Sequence, residues 1–190
     1  KGANITDPDN TLFSKIGVYN TKSEWFIFKD SVRLNSQKYS ITADTLLFNS
    51  ASGLARFRGP SLIESDSGYI NCNYGDYDTQ NDIAYFSNRC EIHDKASVLI
   101  GDTVYFNQTT GVGDLYGNVY MSDSIQRYTI TGQHAYFQEE SEYALVTGDP
   151  LYTMIDDQGD SLHIHGDTLR INTRLNGDRL ILVYNNSKFF

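Results

Sequence analysis

The chain has 190 residues, with 15 Lys+Arg against 24 Asp+Glu and a net charge of -9. That balance offers no basic stripe to neutralise phosphates, which argues against nucleic-acid binding, and no run approaches the roughly 18 apolar residues of a membrane span. The length suits one substantial core, so a single domain over residues 1–190 is expected.

The content of 14 Tyr, 10 Phe, 15 Gly and only 3 Pro favours strands punctuated by glycine over helices. Cys72 and Cys90 are the only cysteines, too few for a disulfide framework; one bridge and two buried free thiols both stay open. The start, Lys1-Gly2-Ala3-Asn4, has neither the n-region nor the h-region of a signal peptide. Any such segment is expected to have been removed or never to have existed.

Residues 1–16 and the tail from Asn185 to Phe190 fit the repeat poorly and are expected to be end structure or disordered. Between them an aromatic followed by an amide or acid recurs at Tyr19-Asn20, Phe48-Asn49, Tyr77-Asp78, Phe106-Asn107 and Phe137-Gln138, with a weaker copy at Ile171-Asn172. The spacings are 29, 29, 29, 31 and 34. A strand-like run follows each of the first five pairs and closes on Phe28, Phe57, Phe86, Leu115 and Val146. Two residues later stand Asp30, Gly59, Asn88, Gly117 and Gly148, turn formers that predict strand ends.

Beyond these, Val32 and Leu34, Ser61 and Ile63, Cys90 and Ile92, and Val119 and Met121 alternate with polar neighbours, the period of a half-buried strand. A further column holds Ile41, Ile70, Leu99, Ile130 and Ile164, each two residues before a small one. In Ala43-Asp44-Thr45-Leu46 and Gly101-Asp102-Thr103-Val104 the apolar parity switches, which predicts a β-bulge or corner. The expected architecture is therefore all-β and repeat-built, with few or no helices, as a jelly roll or a β-solenoid whose neighbouring repeats complete one another's core.

Phe28, Phe57, Phe86, Leu115 and Val146, together with Ile41, Ile70, Leu99, Ile130 and Ile164, are the candidate interior. Such side chains serve equally to close a packed core or to line an apolar groove. The small residues Ala55, Ala84, Gly113 and Ala144, two before the large column, either leave room for a ligand or permit close packing. His163 and His165 flank inward Ile164 and are expected on an exposed strand face rather than on zinc. Asp156-Asp157-Gln158-Gly159-Asp160 lacks the alternating ligands of a calcium loop and is expected to be a polar hairpin turn. No nucleophile elbow, phosphate loop, zinc-protease or dinucleotide motif occurs, and Asp102, Asp114 and Asp167 recur as corner residues should. Neither catalysis, a metal nor a cofactor is expected.

The phrases Ala43-Asp44-Thr45-Leu46-Leu47-Phe48-Asn49 with Gly53-Leu54-Ala55 and Gly59, and Gly101-Asp102-Thr103-Val104-Tyr105-Phe106-Asn107 with Gly111-Val112-Gly113 and Gly117-Asn118-Val119-Tyr120, resemble the repeat of the OstA-like (LptA-like) family of lipopolysaccharide-transport proteins. Asn88-Arg89-Cys90, Asp149-Pro150 and Cys72-Asn73-Tyr74 depart from that pattern. The likeness spans about residues 17–172, with repeats running to about 184. What it implies is a periplasmic antiparallel β-jelly-roll opened into a V-shaped trough of two sheets, carrying acyl chains of lipopolysaccharide or its lipid A portion. It also implies partners of the same kind, or further copies, joined end to end by strand pairing. The competing expectation is a structural or assembly β-solenoid with a closed interior that binds proteins through its edges.

Overall fold

The computed structural model describes residues 2–6, 8, 10–37, 39–173 and 179–190, and among them every regular element is a strand. The chain divides into two compact units, residues 1–94 and 95–190.

In the first unit the strands are β1 (Ala3–Thr6), β2 (Asn10–Ser14), β3 (Ile16–Asn20), β4 (Trp25–Ser36), β5 (Tyr39–Asn49), β6 (Leu54–Ser65), β7 (Gly68–Asp78) and β8 (Ile83–Asp94). From β4 to β8 each strand pairs antiparallel with the next. The free side of β4 is taken by β2 along one half and β3 along the other, and β1 adds to β2. The second unit contains β9 (Ser97–Asn107), β10 (Val112–Asp123), β11 (Tyr128–Gln138), β12 (Tyr143–Thr147), β13 (Leu151–Ile155), β14 (Ser161–His165), β15 (Thr168–Thr173), β16 (Arg179–Tyr184) and β17 (Lys188–Phe189), and β9 pairs antiparallel with β10 and β10 with β11. Here β11 is shared by β12 and β13, β12 pairs with β15, β13 with β14, β15 with β16, and β14 with β17. All these pairings are antiparallel, most of them between strands consecutive in the chain, unlike the parallel coils of a β-helix.

The turn formers do not end strands, contrary to the sequence expectation; they bend them. Asp30 and Ser31, Gly59, Asn88 and Arg89, and Gly117 and Asn118 hold positive φ inside β4, β6, β8 and β10. Only at Gly148 and Asp149 does the ladder part, into β12 and β13. A left-handed residue inserts extra backbone and turns the strand sharply. Buried positions across the bend therefore lie four apart on β4 (Phe28, Val32) but three apart on β5 (Ala43, Leu46), and the register shifts there. Side chains from neighbouring strands cap these corners. Lys15 Nζ donates to Asp30 Oδ1 at 3.0 Å, Asn73 Nδ2 to the Asn88 carbonyl at 3.1 Å, and Asn118 Nδ2 to Asp102 Oδ2 at 2.7 Å. Asn186 Nδ2 likewise donates to Asp167 at 3.0 Å. The bond from Lys15 is the main reason the exposed Asp30 carboxyl lies below the ordinary carboxylate value.

Hairpin ends use the amide or acid of the repeat. Asn20 Oδ1 accepts from the amides of Lys22 and Ser23, Asn49 Oδ1 from Ala51 and Ser52, and Asp78 Oδ1 from Gln80 and Asn81. Each is an Asx turn, the geometry a short oxygen-bearing side chain favours after a strand. Glu24, Gly53, Asp82, Gly111 and Glu142 then take positive φ to re-enter the next strand.

Residues 10–20 carry the same repeat, which corrects the expectation that everything before residue 17 is end structure. Leu12 is in register with Leu34, the partner of Ile41, and Gly17 with Phe28, the partner of Leu46. Leu12 stands seven residues before Tyr19-Asn20, the spacing of Ile41 before Phe48-Asn49 and of Ile70 before Tyr77-Asp78. The tail is also ordered: β17 pairs with β14 through Ile164 and Phe189.

Candidate apolar interior

Bending places apolar side chains of both arms of each strand on one side. In the first unit the row before the bend is Phe28, Leu46, Phe57, Gly75 and Phe86, successive partners across five strands. The row beyond it is Leu12, Leu34, Ile41, Ile63, Ile70 and Ile92. Leu12 and Ile41 join Phe28, Leu46 and Phe57 in a single buried cluster, so both arms contribute to one core. The second unit repeats the pattern with Val104, Leu115, Ala135, Val146 and Leu169 in one row. Leu99, Met121, Ile130, Tyr152 and Ile164 form the other.

The ten candidate residues thus occupy two rows in each unit. Phe28, Phe57 and Phe86 stand together on one arm of the first unit, with Ile41 and Ile70 on the other. Leu115 and Val146 are separated from Leu99, Ile130 and Ile164 in the same way. Eight of them are buried, Leu115 and Val146 to 0% exposure, whereas Ile70 and Leu99 are only half-buried. Sequence columns missed the alternate members, Leu46, Val104, Ala135 and Leu169 on the first row. They recur two residues before each aromatic-amide pair, with Gly75 among them, and cross-strand register, which links them to partners 11 to 23 residues away, is what joins them to the same row.

The small residues have a specific job. Ala55 lies between Phe48 and Tyr77, Ala84 beside Tyr77, and Gly113 between Phe106 and Phe137. The aromatic of each aromatic-amide pair thus flanks the space left by its small neighbour. At Gly113 that space is full, because a Cβ there would overlap the Phe137 ring. Phe106 and Phe137 stack with centroids 6.0 Å apart. At Gly75 an added Cβ would come within 2.6 Å of the Phe86 ring.

The other side of the strands is polar. Arg58 pairs with Asp76 at 2.7 Å, Arg56 lies 4.9 Å over the Trp25 ring, and His134 Nε2 is 2.9 Å from Asp114 Oδ1. His163 faces outward and bonds Thr153 and Ser161, and His165 bonds Asp149 at 2.8 Å, while Ile164 points inward. Asp156 Oδ1 accepts from the amides of Gln158 and Asp160, which makes this segment a polar turn. Among the described residues no group of three metal-ligating side chains assembles. A depression of about 360 Å³ at the first unit's corner is lined by Ser31, Arg33, Thr42 and Asn71 among others, and by none of the ten candidates. Cys72 and Cys90 are free and buried.

Bent antiparallel strands with an apolar side and a polar side define a repeat-built, all-β protein with a water-excluding interior. The family model described as OstA-like protein matches residues 1–44. This supports the resemblance read from the motifs and places it on β1 to β5, including the N-terminal stretch that the motif reading left out. No curated protein matches the chain. Among solved structures, the chain is similar to LptH from Pseudomonas aeruginosa, described as the LptA homologous periplasmic component of the conserved lipopolysaccharide transport device. The identity is 9%, 92% of this chain and 94% of that chain are covered, and the TM-score is 0.30. Agreement that slight carries no argument about fold or function. No helix among the described residues is long and apolar enough to cross a membrane.

Proposed function

We propose that this chain takes part, without catalysis, in lipopolysaccharide transport in the periplasm, taking acyl chains of the lipid into its apolar interior. The observation that carries this reading is the pair of apolar rows, one on each arm, that crosses successive strands within each unit of an OstA-like chain. Acyl chains demand such a surface: each CH₂ removed from water is worth about 0.8 kcal/mol, and a row offers a linear chain successive apolar contacts along it. Phe28, Phe57 and Phe86 with Ile41 and Ile70 line the proposed path in the first unit. Leu115 and Val146 with Leu99, Ile130 and Ile164 line the corresponding path in the second.

In the free protein Leu12 and Ile41 pack with Phe28, Leu46 and Phe57 while Ile63, Ile70, Ile92 and Leu99 stay half-buried, so full entry of a chain requires the arms to part into the two walls of a trough, with lipid replacing contacts between side chains. The left-handed corner residues are the natural hinge of that motion, since they carry the bend without core side chains of their own. A passive interior supplies affinity and no net work, so direction comes from outside the chain. Strand edges at the ends would add partners of the same type, or further copies, by β-augmentation.

Burial of Phe57 and Phe86 to 3% favours one second reading, a closed structural module that binds proteins through its edges. Native mass spectrometry with lipid A, and with an acyl-free oligosaccharide of the same source, separates the two. Saturable lipid adducts without oligosaccharide adducts support transport. A folded chain that takes up neither is the closed module.

A further inference from the structure

Repeat symmetry sets the two cysteines at matching positions on adjacent strands. Ala43 and Ser61 are cross-strand partners on β5 and β6, at the rung beside the corner. Adding the repeat length of 29 to both numbers gives Cys72 and Cys90. In the β7–β8 ladder Gly68 pairs with Asp94, Ile70 with Ile92 and Asn71 with Glu91, and the register then shifts before Tyr74 pairs with Ser87. Cys72 and Cys90 stand one residue beyond the Asn71–Glu91 pair, at the start of that shift, and Cys72 is near enough to act electrostatically on the Cys90 thiol. The equivalent rung is occupied by Val32 with Ala43, by Ser61 with Cys72 and by Val119 with Gly132. Both thiols lie on the inner side, 2% and 0% exposed.

Directly opposed residues of an antiparallel pair have Cα atoms about 4.5 or 5.5 Å apart, according to the rung type. Both values fall within the roughly 4.4–6.8 Å that a disulfide spans, and side chains on one face point the same way. We propose that Cys72 and Cys90 are a redox pair, joined by a disulfide oxidant into a cross-strand bridge that staples β7 to β8 at the corner.

The chemistry is ordinary thiol–disulfide exchange. One cysteine thiolate attacks the oxidant's disulfide, expels a thiolate and leaves a mixed disulfide; the second attacks the protein-side sulfur and expels the other thiolate. Two thiol protons pass to solvent and the two electrons leave on the oxidant's two thiolates. Burial opposes the first step in the folded chain: it pushes the Cys72 thiol up to about 11, and the Cys90 thiol is raised further. Thiolate is the reactive form. The bridge therefore forms while the strands assemble or transiently open, and the folded, reduced protein reacts slowly.

The test uses the full chain, unfolded with reductant and refolded in reduced and oxidised glutathione, then alkylated with N-ethylmaleimide. Expected are an intact mass about 2 Da below the reduced chain with no maleimide added, and a Cys72–Cys90 linked peptide on non-reducing mapping. A Tm about 5 °C or more above that of the reduced protein should accompany them. In Cys72→Ala that oxidation-dependent difference vanishes. Two alkylated thiols, glutathione adducts at both cysteines, or only intermolecular dimers from folded protein overturn the proposal. So does a Tm difference that persists in Cys72→Ala. Should that variant fail to fold, the peptide map of the natural chain decides alone.

Discussion

Gly113 is predicted to be the position where the smallest added atom does the most damage. In register it lies between Phe106 and Phe137, and a Cβ on it would overlap the Phe137 ring from within the core. Phe137 is 7% exposed and stacked on Phe106, so its ring has no open side to move into. Overpacking of this kind costs about 1–3 kcal/mol. Against it stands a gain of roughly 0.5–1 kcal/mol, because alanine loses less conformational freedom than glycine on folding. The steric cost wins, leaving Gly113→Ala about 1–2 kcal/mol less stable, equivalent to a Tm lower by roughly 2–8 °C for a chain of this size. Thermal unfolding followed by far-ultraviolet circular dichroism reads this directly. The argument is sharper as a cycle: Phe137→Leu withdraws the ring's far atoms, so Gly113→Ala should be far better tolerated in that background, with a coupling of about 1 kcal/mol or more. A Gly113→Ala protein as stable as the parent, or a double variant additive within about 0.5 kcal/mol, would refute the assignment of Gly113 as the seat of the Phe137 ring.

Two further predictions follow from the turns and the buried ionisable groups. Asn49 is 8% exposed, accepts bonds from Ala51 and Ser52, and donates to the Ser23 carbonyl. Asn49→Ala should lower stability by about 1–2 kcal/mol in urea titrations while Asn49→Asp, which keeps the acceptor, loses less; equal losses would mean that the turn does not depend on that oxygen. Burial raises Cys72 to about 11, and burial with the hydrogen bond to Asp82 raises Tyr77 to about 12, each above its ordinary value of 9.0 or 10.0. The folded chain thus holds these protons more tightly than the unfolded one, so their contribution is complete below about pH 9 and is lost as pH rises from there towards 12. Under reducing conditions Tm should fall progressively over that range, and a Tm unchanged to pH 11 would show that the thiol and phenol are not buried as described.

Sequence alone determined the period and the side of the strand on which each repeated residue lies. Phe28, Phe57 and Phe86 were legible as interior because alternation and spacing are local properties of the chain. Asn20, Asn49 and Asp78 were legible as repeat markers for the same reason. Their work as Asx turns needs only atoms two or three residues away. The left-handed residues were legible as backbone exceptions, but not as bends inside continuous strands. A turn and a bulge share the same residue preferences, and only a neighbouring strand paired on both sides of Gly59 or Gly117 distinguishes them. Residues 10–20 escaped notice because Leu12 and Gly17 look unremarkable until β4 sets them in register with Leu34 and Phe28. Tertiary structure likewise decided what fills the space beside Gly113 and Ala55, since the rings concerned come from strands to either side. It also decided that Cys72 and Cys90 stand on adjacent strands, one residue beyond the paired Asn71 and Glu91. Pairing couples residues far apart in the chain, and its register is set by how all the strands bury their apolar sides together.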